Sequence, residues 1–140
     1  EAGLESLRAH PASAEVQEFG CGALRKLALR NSRARARMLE AGVEPVLAAL
    51  SGHITAEGVQ LHGLAILAAL ACGTGELEAE GDNGRGIKLV VRAMEVYHRS
   101  TPAVLSWGCA TLQNLACFGV DGCAEIVRLG GGGGGLPGGP

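Results

Sequence analysis

Residues 103–116 read Ala-Val-Leu-Ser-Trp-Gly-Cys-Ala-Thr-Leu-Gln-Asn-Leu-Ala, and the same pattern stands twice more upstream. Residues 15–28 read Glu-Val-Gln-Glu-Phe-Gly-Cys-Gly-Ala-Leu-Arg-Lys-Leu-Ala, and residues 58–71 read Gly-Val-Gln-Leu-His-Gly-Leu-Ala-Ile-Leu-Ala-Ala-Leu-Ala. The anchoring glycines, Gly20, Gly63 and Gly108, lie 43 and 45 residues apart. Self-similarity at that period is a statement about architecture before it is one about function.

Within each copy the larger or tightly packed positions keep their offsets: Val16, Gly20, Ala23, Leu24 and Leu27; Val59, Gly63, Ile66, Leu67 and Leu70; Val104, Gly108, Thr111, Leu112 and Leu115. Offsets of 4, 7, 8 and 11 fall on one stripe of a 3.6-residue helix, whereas a strand would need strict alternation. Each copy is therefore predicted to be a helix with one buried face. A glycine inside a helix costs about 1 kcal/mol against alanine, so its return in one column needs a compensating reason, and close approach of a neighbouring helix supplies it.

The repeat extends beyond this helix. Upstream, Leu4, Leu7 and His10 match Leu47, Leu50 and His53, and then Val91, Met94 and His98, with Tyr97 as the extra residue of the third copy. This is a second, shorter helix that ends near a histidine. A third segment holds Met38, Leu39 and Gly42 in the first copy and Ile126, Val127 and Gly130 in the last. Each unit thus contains two long helices and a short one.

A unit of about 40 to 47 residues with two or three helices is the armadillo or HEAT pattern. Residues 16–28 resemble the third armadillo helix, and residues 38–50, Met-Leu-Glu-Ala-Gly-Val-Glu-Pro-Val-Leu-Ala-Ala-Leu, resemble the joint between the first and second. The likeness covers roughly residues 1–130 and is greatest to armadillo-only scaffolds and to the armadillo arm of leucine-rich-repeat kinases. It implies an all-α fold, a right-handed superhelical solenoid of about three repeats incomplete at both ends. The units would be 1–42, 43–86 and 87–130, followed by a flexible Gly/Pro-rich tail at 131–140.

Composition agrees with helices packed closely. Hydrophobic residues make up 47% of the 140 but aromatics only 3%, so the core is predicted to be alanine, leucine and valine. A net charge of −2 gives no general attraction to nucleic acid or anionic membrane. The longest apolar run, 61–72, is too short to span a bilayer. The five cysteines include Cys21 and Cys109 in one column and Cys72 and Cys117 in another, with Cys123 apart. Residues two repeats apart cannot meet as a disulfide, and no metal-ligand spacing links the others, so buried free thiols, a reducing compartment and a cytoplasmic location are expected. The chain opens in mid-unit, as a piece of something longer would.

Asn31 or Ser32 is placed to cap the segment that ends at Gly42, with Pro45 where the next helix tolerates it. Residues 73–86 carry five glycines where a first helix should stand, which predicts a short helix near 76–80 and then an acidic loop. Arg25, Lys26, Arg30, Arg33, Arg35 and Arg37 form a basic cluster, read as a solvated face with a patch for an acidic peptide or phosphate as the alternative.

No nucleophile elbow, metal-binding helix or kinase motif is present, and His10, His53 and His98 sit at helix ends, where the dipole favours them. No enzymatic activity, cofactor or metal is therefore expected. The armadillo resemblance implies instead a scaffold that binds partner proteins or extended peptides along the concave surface of its third helices. Phe19, Lys26, His62, Trp107, Gln113 and Asn114 are the candidate contacts, with Glu18 on the same side. Phe19, His62 and Trp107 share one column just before the glycine, placed either to anchor a partner or to pack between helices. The tryptophan positions of nuclear-import receptors hold Gly22, Ala65 and Ala110, and the asparagine positions hold Lys26, Ala69 and Asn114, which argues against a groove for basic cargo. The alternative implied role is a regulatory arm of a larger enzyme such as a leucine-rich-repeat kinase, or one block among further repeats of the same chain.

Overall fold

The computed structural model describes residues 2–72 and 84–118, and everything described is helix or short connection. In chain order the helices are α1 (Ala2–Ala9), α2 (Ala14–Arg30), α3 (Ser32–Ala41), α4 (Glu44–Gly52), α5 (Glu57–Ala71), α6 (Arg85–Tyr97) and α7 (Pro102–Phe118). The fold is all-α, and the three copies of the repeated segment are α2, α5 and α7. Local chemistry sets the boundaries. Ser13 caps α2 by accepting from the Val16 amide. Asn31 ends α2 with its own N–H on the Leu27 carbonyl and starts α3 with Oδ1 accepting from the amides of Arg33 and Ala34. Gly42, at φ 89°, takes the left-handed turn that stops α3, and Pro45 occupies the first turn of α4, where its missing N–H costs nothing.

The long helices pack side by side, with α5 between α2 and α7. The short helices form a second row in which α1 lies on α2, α4 on α5 and α6 on α7, while α4 touches both α1 and α6. The repeated glycine is the seam of each pair. A Cβ on Gly20 would lie 2.7 Å from Leu7 Cδ2, one on Gly63 would lie 2.6 Å from Leu50 Cδ2, and one on Gly108 would lie 2.5 Å from Met94 Cγ. The space that a methyl group would occupy is filled from the same position of the short helix in all three units, by leucine, leucine and methionine.

A second repeated device joins the same helices. The Gln17 amide donates to the carbonyls of Leu7 (3.1 Å) and His10 (2.9 Å), and the Gln60 amide donates to those of Leu50 (2.9 Å) and His53 (3.0 Å). Both glutamines are buried; each satisfies a carbonyl that the end of a helix leaves open, Leu7 or Leu50, and shares that of His10 or His53 with a backbone amide. In the third unit Leu105 stands at this position, and the His98 ring donates to the Glu95 carbonyl instead. Between units, His53 Nε2 donates to the Pro11 carbonyl at 2.7 Å, and the Tyr97 hydroxyl donates to the Ile54 carbonyl at 2.8 Å. Pro11 and Ile54 are themselves 43 residues apart, so Tyr97 holds the place of His53. The extra residue of the third unit therefore falls after Tyr97 and not at it.

Burial follows the stacking. On α5, Val59, Gly63, Ile66, Leu67 and Leu70 are all buried, because long helices flank it on both sides. On α2, Ala23 and Leu27 are exposed, Leu27 by 52%, although their counterparts Ile66, Thr111, Leu70 and Leu115 are buried. On α7, Cys109 is exposed although Cys21 and Leu64 in its column are fully buried. One cause covers all three departures from the expected stripe. The Ala23 and Leu27 columns face the preceding long helix and the Cys21 column faces the following one. Among the described residues, α2 has no long helix before it and α7 none after it. Burial pushes the Cys21 thiol up to about 12, which keeps it unreactive, whereas Cys72 and Cys109 are exposed thiols. No helix among the described residues is long and apolar enough to cross a membrane. The expected helix at 76–80, most of its following loop, the segment at 121–129, Cys123 and the tail at 131–140 lie outside the described residues.

The glycine seam can be tested with a matched pair of substitutions. Gly63→Ala forces its new methyl group into Leu50 and is expected to destabilise the fold by about 1–3 kcal/mol in urea denaturation. Gly22→Ala places its methyl group at an ordinary 3.5 Å from His62 Nε2. It is expected to be neutral or to stabilise by up to about 1 kcal/mol through helix propensity. Equal effects at the two sites would show that the seam is not close-packed.

Candidate functional site

Phe19, His62 and Trp107 each precede the packed glycine by one residue, which turns them about 100° around the helix from the seam. Phe19 is 71% exposed, while His62 and Trp107 are half-buried. Phe19 stands clear of the core, His62 lies against Gly22 of α2, and Trp107 packs against the edge of the core. A fourth residue connects the column. Arg25, on α2, donates from Nη1 to His62 Nδ1 on α5 at 3.1 Å, and its guanidinium carbon lies 5.2 Å from the centre of the Trp107 ring on α7. One α2 side chain thus touches all three long helices, through a charge-assisted hydrogen bond and a cation–π contact.

This geometry sets the state of His62. A guanidinium only donates, so Nδ1 is the acceptor and the ring proton sits on Nε2. Burial lowers the His62 pKa from its ordinary 6.5, Arg25 and Lys26 lower it further, and Glu18 opposes them. The Glu18 side chain reaches across to the first turn of α5, where a Cβ on Gly58 would collide with its carboxyl group. A carboxylate is favoured there by the positive end of the helix dipole.

Beside these residues an open groove of about 660 Å³ runs along α2. Gly22 and Ala23 form its small-residue floor, Phe19 and Leu29 supply apolar walls, and Arg25, Lys26 and Arg30 supply positive charge. Glu18 and His62 complete the lining. Phe19 and Leu29 are 71% and 42% exposed, more than large apolar side chains usually are.

The candidate residues thus divide. Phe19, Lys26 and His62 line the groove, and Trp107 is tied to it through Arg25. Gln113 is exposed on α7 and does not line it. Asn114 donates from Nδ2 to the Ala68 carbonyl at 2.8 Å, so its amide fastens α7 to α5. The Thr111 hydroxyl does the same, 3.2 Å from the Leu64 carbonyl and 2.9 Å from that of Trp107.

Arg25 and Arg30 belong to the basic cluster whose alternative reading is a patch for an acidic peptide or phosphate, whereas nothing in the sequence pattern marks Leu29. Arg25 and Arg30 lie on the repeated helix, whereas Arg33, Arg35 and Arg37 lie on α3. Arg35 Nη1 donates to the Ala28 carbonyl at 2.6 Å and so closes the end of α2. Arg33 and Arg37 border a separate depression of about 240 Å³ between α2 and α3.

Trp107 is the single tryptophan, so its emission reports on this site alone. The folded state disfavours the His62 imidazolium, and the unfolded chain therefore takes up the proton more readily. Stability is full above pH 6.5 and is lost as the pH falls from there toward the lowered value. Protonation also removes the acceptor that holds Arg25. An acid titration is expected to change Trp107 emission with a midpoint below 6.5, and His62→Gln should abolish that transition. A midpoint above the ordinary histidine value would contradict the assigned contact.

No family model, no curated protein and no solved structure matches the chain.

Proposed function

We propose that the chain is an armadillo-type α-solenoid whose units stack in one direction, and that it is a non-catalytic scaffold holding partner proteins or extended peptides along the face of α2, α5 and α7. Three features support the architecture. The same glycine seam recurs in each unit, the glutamine bonds recur in two, and burial depends on whether a long helix stands before or behind. In such stacks each unit touches only its neighbours, and the surface left over is long and shallow, which suits recognition of a segment of chain.

The observation that carries the functional reading is the column of Phe19, His62 and Trp107 beside an open groove, with Arg25 bound to two of the three rings. Aromatic and arginine side chains dominate interface hot spots, because they combine large contact area with few rotors and directed donors. Among the described residues Phe19 is also the most exposed of the large apolar side chains, a position that covering by a partner would stabilise.

Selection of a displayed random-sequence peptide library on the whole chain tests this. Selected peptides are expected to alter Trp107 emission and to bind Phe19→Ala at least about tenfold more weakly, the loss of a moderate hot spot. Because Phe19 lies on the surface, that variant should keep the helical content and unfolding midpoint of the parent. Peptides that bind both proteins equally and leave Trp107 unchanged would place recognition elsewhere.

A further inference from the structure

We infer that the groove on α2 takes an acidic extended peptide with an apolar side chain at each end, an assignment that rests on reading the α2–α5–α7 face as peptide-binding. The lining carries three cations, Arg25, Lys26 and Arg30, against one carboxylate, Glu18, in a chain whose net charge is −2. The groove is therefore positive on a molecule that is not. Glu18 is also drawn toward the N-terminal turn of α5 at Gly58, which leaves the three cations facing the open volume.

Arg25 is held in advance for this role. His62 takes one of its five N–H donors and its guanidinium carbon lies over the Trp107 ring, so a carboxylate meets a guanidinium already ordered. Lys26 and Arg30 stand four residues apart on α2, where like charges repel, and an anion between them relieves that repulsion.

The apolar residues set the spacing. Phe19 and Leu29 lie ten positions apart along α2, or about 15 Å, which four to five extended residues span. A bound segment would meet Phe19 at one end and Leu29 at the other, with acidic side chains between. Among the described residues Phe19 is the one phenyl ring that lines the groove, so it offers a base a single stacking face, whereas single strands are held on successive ones. Arg25 already covers Trp107, so that ring offers no free face on this side for a base.

The probe is a fluorescein-labelled peptide with leucine at either end and glutamates between, titrated against the whole chain by fluorescence anisotropy. Binding is expected to weaken as salt is raised and to fall at least about tenfold when the glutamates become glutamines. The double change Lys26→Glu and Arg30→Glu should cost at least about as much and should favour the peptide carrying lysines instead. Both residues are exposed, so an unchanged thermal midpoint separates lost binding from lost fold. A glutamine peptide that binds as well, a charge-reversed protein that binds undiminished, or tighter binding of a single-stranded oligonucleotide would each overturn the assignment. If library selection yields neutral or basic peptides that bind this groove and move Trp107 emission, the charge assignment falls while the peptide-binding reading stands. If no peptide of any composition moves Trp107, both fall.

Discussion

Three missing side chains hold this structure in register. At Gly20, Gly63 and Gly108 the absence of a Cβ lets Leu7, Leu50 and Met94 press directly onto the backbone of the long helix. Close approach at that point fixes how far apart the two helices of a unit lie and which way the long helix is rotated. The rotation then decides where the neighbouring column, about 100° around the helix, points. With the glycine turned to the short helix, the residue before it must face outward, and so Phe19, His62 and Trp107 fall into a row. A helix-weakening residue is retained inside three helices because packing returns more than propensity takes away.

Much of this could be read in the sequence, because it is local and repeated. The identity of the three long helices, the seam glycine, the short helices and the Asn31 cap all depend on spacing within one unit. What could not be read depends on neighbours. Ala23, Leu27 and Cys109 carry the same pattern as their buried counterparts, and only the position of each helix in the row exposes them. Tyr97 shows a subtler limit. Matching histidine to histidine aligns His98 with His53, whereas the bond to the preceding turn is made by whichever ring reaches it, and a phenol serves as well as an imidazole.

The candidate site divides in the same way. The ring column was visible as a periodic feature, but the link through it was not. Arg25 lies in the repeat column of Ala68 and Gln113, and nothing in that column announces that its guanidinium crosses one helix to reach the next. Asn114 looked available on the same face, yet a carbonyl of the adjacent helix claims its amide. Side chains long enough to leave their own unit are those whose roles a single-unit pattern cannot assign.

The glutamine bonds of the first two units bear on how such a protein tolerates change. Gln17 and Gln60 reach back over the bend and grip carbonyls on its far side, so at each corner one buried amide adds to the bend's own backbone bond. At the last position of the bend Ser13 caps α2 whereas Ala56 has no side chain to cap α5, and the glutamine bonds are the same at both corners. The exposed residues between, Ala12 and Thr55, can drift in sequence while the pitch between successive helices stays constant, provided the carbonyls of Pro11 and Ile54 remain within reach of the next ring.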